Sequence, residues 1–327
     1  MNIVWFLLLS AMLTAYAVLD GFDLGVGALL PWVCRSEDER AQARASIGPG
    51  WNGNEVWLLA AGGAMFAAFP LLYAASFSGF YLALMLVLWL LMGRGIGFEF
   101  RHAHPSPLWK GFWDTVFSGS SLVLALLLGV AVANVLRGVL FDAQGEFQGS
   151  FSLMLNPFAL LGGLLSVAVL CLHGTAFLAM KTEGALQARA RCVAGGIWLA
   201  VLLVFGFATA SFAVRQGFAG NFSHMPVLIL LAIGALSAIP LFLRRAQDGR
   251  AFAATSVLIA SLLGSAAAGL FPRLLPALGN HPAADLTIYN AASGNSSLVP
   301  ALVMNLVGMT GVLAYTLYIY KFWSGKV

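Results

Sequence analysis

Long apolar runs broken by short polar stretches dominate this chain, and most of the runs have the length of a membrane crossing. Nine can be drawn, at roughly 3–30, 55–73, 77–98, 113–136, 155–180, 192–214, 225–243, 251–271 and 298–321. A helix needs about 20 predominantly apolar residues to cross the hydrocarbon core. Helices are the expected element because hydrocarbon offers no partner to an unpaired backbone N–H or C=O. The pattern therefore predicts an all-α polytopic membrane protein, with residues 1–327 forming one integral-membrane domain. The longest connections, 137–154 and 272–297, are too short for a separate domain, and no internal repeat or low-complexity tract is visible.

Composition agrees. The chain is 60% hydrophobic and 9% charged, with a mean hydropathy of +0.89, which excludes an ordinary soluble domain. The sequence pI of about 9.1 does not point to nucleic acid, because the basic residues collect on one side of the membrane. Of seventeen lysines and arginines, only Arg137, Arg215 and Arg273 fall in the loops after even-numbered segments. By the positive-inside rule this predicts the N-terminus outside and the C-terminus inside. No basic leader or small-residue cleavage site precedes the first run, which reads as a retained helix. Cys34, Cys171 and Cys192 lack metal-type spacing and read as buried thiols.

Chemistry starts in the first run, where Asp20 and Asp23 share one helix face at i, i+3 among Gly21, Gly25 and Gly27. A carboxylate at such a depth costs about 2.5–3.5 kcal/mol on insertion scales and needs a partner, a wet cavity or a proton. Arg94, near the inner end of the third segment, is the expected partner of Asp23, as a structural ion pair. Asp20, deeper, is the expected site of a changing protonation state. The stretch from Gly48 to Trp57 breaks the backbone with Pro49 and its glycines. Asn52 or Asn54 could cap a helix starting near Glu55, or the polar side chains could form the mouth of a proton-conducting water wire. Glu99, beside Arg101, reads as a local ion pair at the membrane edge or as a further acid on that path.

Five histidines bear on metal binding. His102 and His104 fall in an inner loop, His224 and His281 outside, and only His173 lies within a run. A lone helix histidine is more often hydrogen-bonded to a neighbouring helix than a ligand, and no metal motif accompanies it. The doublets Gly62-Gly63, Gly162-Gly163 and Gly195-Gly196 read as points of close helix packing.

Several of these stretches together resemble subunit II of the cytochrome bd-type quinol oxidases. They are DGFDLGVG from Asp20 to Gly27, WNGNEVW from Trp51 to Trp57, AGGAMFAAFP from Ala61 to Pro70, ASFSGFY from Ala75 to Tyr81 and GFEFR from Gly97 to Arg101. Weaker matches follow in order at Asn156–Phe158, Phe271-Pro272 with Pro276, Leu286–Asn290 and Tyr315–Trp323. The resemblance implies nine helices, as two four-helix bundles and one peripheral helix, in a bacterial cytoplasmic (inner) membrane. It implies an obligate heterodimer with subunit I, which carries haem b, haem d and the quinol-oxidation site. A small single-helix accessory subunit also accompanies some members. No cofactor is expected on this chain apart from a structural quinone or lipid in a lateral cleft.

The implied activity is reduction of O2 to water with quinol electrons, this chain scaffolding subunit I and contributing to a proton path at the subunit interface. The path candidates are Asn52, Glu55, Trp57, Asp20 and Glu99, and no residue is expected to be catalytic in the narrow sense. The sequence departs from the family at Asn52, where an acid is common, because an amide cannot exchange a proton near neutral pH. Either Asn52 orients water while Glu55 or a subunit I acid titrates, or the inlet has moved. The outside loop after the sixth helix is also shorter than in many members. The alternative function is an ion-coupled secondary transporter or permease, suggested by intramembrane acids and helix glycines.

Overall fold

The computed structural model describes residues 1–140, 149–216, 226–278 and 285–327, excepting the side chains of 212–216. His224, His281, the Arg215 side chain and the loop after the sixth segment lie outside the described residues. The helices are α1 (Asn2–Val33), α2 (Glu37–Ile47), α3 (Trp51–Ala68), α4 (Pro70–Gly79), α5 (Tyr81–Phe100), α6 (Pro107–Arg137), α7 (Phe151–Met154), α8 (Pro157–Lys181), α9 (Gly184–Gln216), α10 (Pro226–Arg244), α11 (Asp248–Leu270) and α12 (Asn295–Phe322). Two short antiparallel strands, β1 (Arg273–Leu275) and β2 (Leu286–Thr287), precede α12.

Among the described residues, eight helices are long and apolar enough to cross a membrane: α1, α5, α6 and α8 to α12. The run expected at 55–73 takes a different form. α3 starts four residues earlier, at Trp51, and stops at Phe69, where Pro70 removes a backbone N–H and opens the separate ten-residue α4. α3 has no side-chain cap, so neither Asn52 nor Asn54 plays the capping part read from the sequence.

α2 is polar and locally encoded. Ser36 Oγ accepts the Glu39 N–H at 3.2 Å, and Glu37, Asp38 and Glu39 occupy the first turn, where the helix dipole favours acids. α8 opens with Pro157 after Asn156, whose side chain accepts the Ala159 N–H at 3.1 Å.

α1 is the central helix, packing against α3, α6, α8 and α11. Its crossing with α8 is a glycine contact, because a Cβ on Gly174 would stand 2.5 Å from the Gly25 carbonyl carbon. Gly129, Gly162 and Gly163 bring α6 and α8 together in the same way. The packing expected at Gly62-Gly63 and Gly195-Gly196 is not made among the described residues, since a Cβ at any of the four meets none of their atoms within 4 Å. Cys34 and Cys171 are buried, whereas Cys192 is exposed, on the outer side of α9.

Charge gathers at one end of the bundle. Asp114 of α6 receives Arg44 at 2.6 Å and Arg101 at 2.7 Å, and Arg101 also reaches Glu37 at 2.6 Å. Glu39 pairs with Arg189 at 2.7 Å, and Asp248 with Arg191 at 2.5 Å. The C-terminus belongs to this end, where the Gln42 side chain donates to the Val327 carbonyl. The N-terminus belongs to the other, where Asn2 donates to the Ile288 carbonyl and Trp5 to that of Leu298. α3 runs between the two, its Ala67 and Ala68 carbonyls accepting from Ser293 in the loop before α12.

Candidate functional site

Four helices converge on the middle of the bundle with ionisable side chains. α1 supplies Tyr16, Asp20 and Asp23, which fall on one stripe because they are spaced four and three residues apart. α3 contributes Asn54 and Glu55, α5 contributes Arg94, and α12 contributes Tyr320. Asp20, Asp23 and Arg94 are each wholly buried. Arg94 grips Asp20 with both terminal nitrogens, Nη2 to Oδ1 at 2.5 Å and Nη1 to Oδ2 at 2.9 Å. This two-point fork is the strongest geometry available to an arginine and a carboxylate. Arg94 Nη1 also donates to Glu55 Oε1 at 3.2 Å, and the guanidinium lies 5.8 Å from the centre of the Trp51 ring.

The ion pair differs from the sequence expectation. Arg94 takes Asp20, and its closest approach to Asp23 is 3.9 Å. Asp23 Oδ2 instead accepts Asn54 Nδ2 at 2.8 Å, and Asp23 Oδ1 is buried with no partner among the described residues. Depth along the membrane made Asp23 the nearer acid, but an arginine stem reaches back by a helical turn, and α3 delivers Asn54 to the remaining aspartate. Asn54 also donates to the Leu19 carbonyl at 3.0 Å and accepts from the Tyr320 hydroxyl at 3.4 Å.

The remaining predicted residues sort by exposure. Asn52 is exposed, and Glu55, one turn further along α3 on the same face, is 27% exposed. Asn52, Glu55 and the Arg94–Asp20 pair thus form a gradient from surface to core. Glu99 is exposed near the end of α5 and stands apart from the cluster. Trp57 is buried, its indole Nε1 has no partner among the described residues, and it lines a groove of about 590 Å³ with Ser10, Thr14, Val18, Gly264 and Leu313.

His173 is wholly buried and uses both ring nitrogens, Nδ1 with Thr255 Oγ1 at 2.7 Å and Nε2 with the Val18 carbonyl at 2.9 Å. Its ring stacks on Phe252 at 4.7 Å. Ligating a metal there would break one of these bonds. No group of three or more metal-ligating side chains occurs among the described residues.

Sequence reasoning missed two members of the cluster, Tyr16 and Tyr320. Tyr16 was legible as the residue one turn before Asp20. Asn54 was weighed as a cap or as part of a polar mouth, and neither reading foresaw its bond to Asp23. Tyr320 had no local signal, because only the return of α12 beside α3 brings it near.

Residues 1–323 match the family model for cytochrome bd terminal oxidase subunit II. The chain belongs to that family. Over its whole length it is 37% identical to the probable cytochrome oxidase subunit 2 of Haemophilus influenzae, covering 95% of that protein. It is 33% identical to the cytochrome bd-I ubiquinol oxidase subunit 2 of Escherichia coli, again over all of this chain and 95% of the relative. The cytochrome bd ubiquinol oxidase subunit 2 of Bacillus subtilis is 36% identical over 99% of this chain and 96% of its own. The fold matches a chain in the structure of bd oxidase from Geobacillus thermodenitrificans with a TM-score of 0.79, covering 98% of both chains at 16% identity. Family and fold therefore agree along the full length.

Proposed function

We propose that this chain is the second subunit of a quinol:oxygen oxidoreductase of a bacterial inner membrane, in a complex that oxidises quinol and reduces O2 to water. The carrying observation is the family match over residues 1–323. The chemistry of O2 reduction belongs to haem b and haem d on subunit I, the obligate partner. Quinol and membrane lipids are the other molecules it meets, with a small single-helix accessory subunit as in some members and no role for nucleic acid. Family membership sets aside the permease alternative.

Nine crossings, with the N-terminus outside and the C-terminus inside, are part of this reading. α3, with α4 after it, supplies the crossing beyond the eight apolar helices. The end-to-end run of α3 and the location of the two termini at opposite ends support this. Two four-helix bundles and a peripheral helix are supported by the packing partners. α1, α3, α5 and α6 associate, as do α8, α9, α10 and α11, while α12 lies against α3.

For the proton path, the exposure gradient supports Glu55 as the titrating acid behind Asn52, with the Asp20–Arg94 pair beneath it. Asn52 orients water at the mouth, Trp57 flanks the route, and Glu99 acts only as an outer acid. The apolar groove beside Trp57 suits a structural quinone or lipid.

The test is Glu55→Gln in the complex. Full haem content with quinol-driven oxygen uptake reduced on the order of 100-fold is expected if Glu55 carries protons. Uptake at the parent rate across the pH range would reject the path through this residue and leave a scaffolding role.

A further inference from the structure

Three carboxylates face one guanidinium in the cluster, and the set does not balance. Arg94 commits both Nη atoms to Asp20 and one of them also to Glu55, leaving 3.9 Å to Asp23. Asp23 keeps a single neutral donor, Asn54 at 2.8 Å, and its other oxygen is buried without a partner.

Among the described residues the surrounding elements bring no second cation. Beside Asp23 on α1 stand Asp20 and Tyr16, and α3 offers Glu55. α12 offers the Tyr320 hydroxyl, which donates to Asn54. α8 presents His173, whose nitrogens are spent on Thr255 and Val18. α6 brings Ser118 and Ser121, whose hydroxyls bond the Gly27 and Phe117 carbonyls. An ionised Asp23 would be a wholly buried charge, beside a like charge, with one oxygen unsolvated. Each of those conditions favours the neutral acid.

We propose that Asp23 holds a proton in the resting protein and exchanges it through Glu55, so that Asp20–Arg94 is a fixed ion pair and Asp23 is the proton store of this subunit. The step is a transfer of H⁺ from the Asp23 carboxyl to the Glu55 carboxylate, which leaves Asp23 ionised and Glu55 neutral. Total charge in the cluster is unchanged, and Arg94, 3.2 Å from Glu55 and 3.9 Å from Asp23, stays within reach of whichever is ionised. Glu55 exchanges its proton with water at the Asn52 mouth, and the reverse transfer from Glu55 reprotonates Asp23. The inference rests on the reading of this chain as part of a proton path. It reverses the part first assigned to Asp20.

Two isosteric replacements in the intact complex test it. Asp23→Asn substitutes a neutral group for a neutral group and should assemble with full haem content and an unchanged thermal midpoint. It should lose a carboxylic-acid C=O band in the infrared difference from the parent, with turnover slowed tenfold or more. Asp20→Asn strips Arg94 of its partner and should not assemble. An Asp23→Asn complex with no loss of that band would overturn the proposal, and so would one with the parent's turnover and pH profile, since the proton would then be fixed. Should Asp23→Asn fail to assemble, isotopically labelled aspartate in the parent complex decides. A carboxylic-acid band that shifts with the label in the parent and loses that shift in Asp23→Glu sustains the resident proton, and its absence overturns it. Failure of the underlying path reading is separable, because Glu55→Gln would then turn over normally while the Asp23 band remained.

Discussion

Arg94 is the residue on which the cluster depends. Its guanidinium is enclosed by Asp20, Glu55 and the Trp51 ring, and the cost of burying it is offset only while the two-point contact with Asp20 holds. Removing one partner of a buried pair strands the other charge, a loss of about 3–5 kcal/mol. Arg94→Gln should therefore abolish recovery of a haem-containing complex from membranes. Arg94→Lys should restore it only in part, because an ammonium cannot present two parallel N–H bonds. Haem absorbance per milligram of purified protein reads both. The residue types at this site were legible: an intramembrane aspartate pair demands a cation, and Arg94 was the one found. The pairing was not legible, because i, i+3 spacing specifies a face and says nothing of which acid a long side chain from another helix will choose.

Among the elements, α1 and α8 approach so closely that a side chain does not fit between them. A Cβ on Gly25 would collide with the Leu170 carbonyl oxygen, and backbone cannot move aside as a side-chain tip can. Overpacking of this kind costs about 1–3 kcal/mol. Gly25→Ala should lower the thermal midpoint of the complex, whereas Gly195→Ala, facing open space on α9, should leave it unchanged or raise it slightly. The sequence marked both positions as small and could not separate them, since a glycine's neighbours are set by helices far away in the chain.

α2 carries a pH signature. The hydrogen bond from Arg101 holds Glu37 below the usual glutamate range, and that from Arg189 does the same for Glu39. A carboxylate lowered on folding stabilises the native state above its unfolded pKa and loses that contribution as pH falls through the folded value. Thermal stability should accordingly be flat through neutral pH and decline below the ordinary glutamate range. Glu39→Gln should flatten part of that decline, as seen in midpoints measured over a pH series.

For the whole molecule, the test is one of parity. Eight crossings return both termini to one side, while nine put them on opposite sides. A periplasm-active reporter fused at Met1 and a cytoplasm-active reporter at Val327 should both give signal, and a same-side result would remove α3 from the membrane count. The segregation of charge agrees with a fixed orientation. The pairs on Asp114, Glu39 and Asp248 all fall at the end that holds Val327. Such pairs tie α2 to the turn after α5, to α6 and to α9, so the charged end acts as a clasp on the bundle.

Hydrophobic run length, the one-sided arginines and the stretches around Asp20, Trp51 and Gly97 determined the class of this protein, its family and the residues worth watching. Those features are local, and the bilayer enforces them residue by residue. The tertiary structure decided which groups meet. It gave Asp20 to Arg94 and Asn54 to Asp23, brought Tyr320 from the far end of the chain, and engaged both nitrogens of His173. It also broke the second run at Phe69, where Pro70 ends one helix and starts another. Contacts between helices depend on rotation, depth and side-chain reach, and no periodicity within a single helix encodes those three quantities.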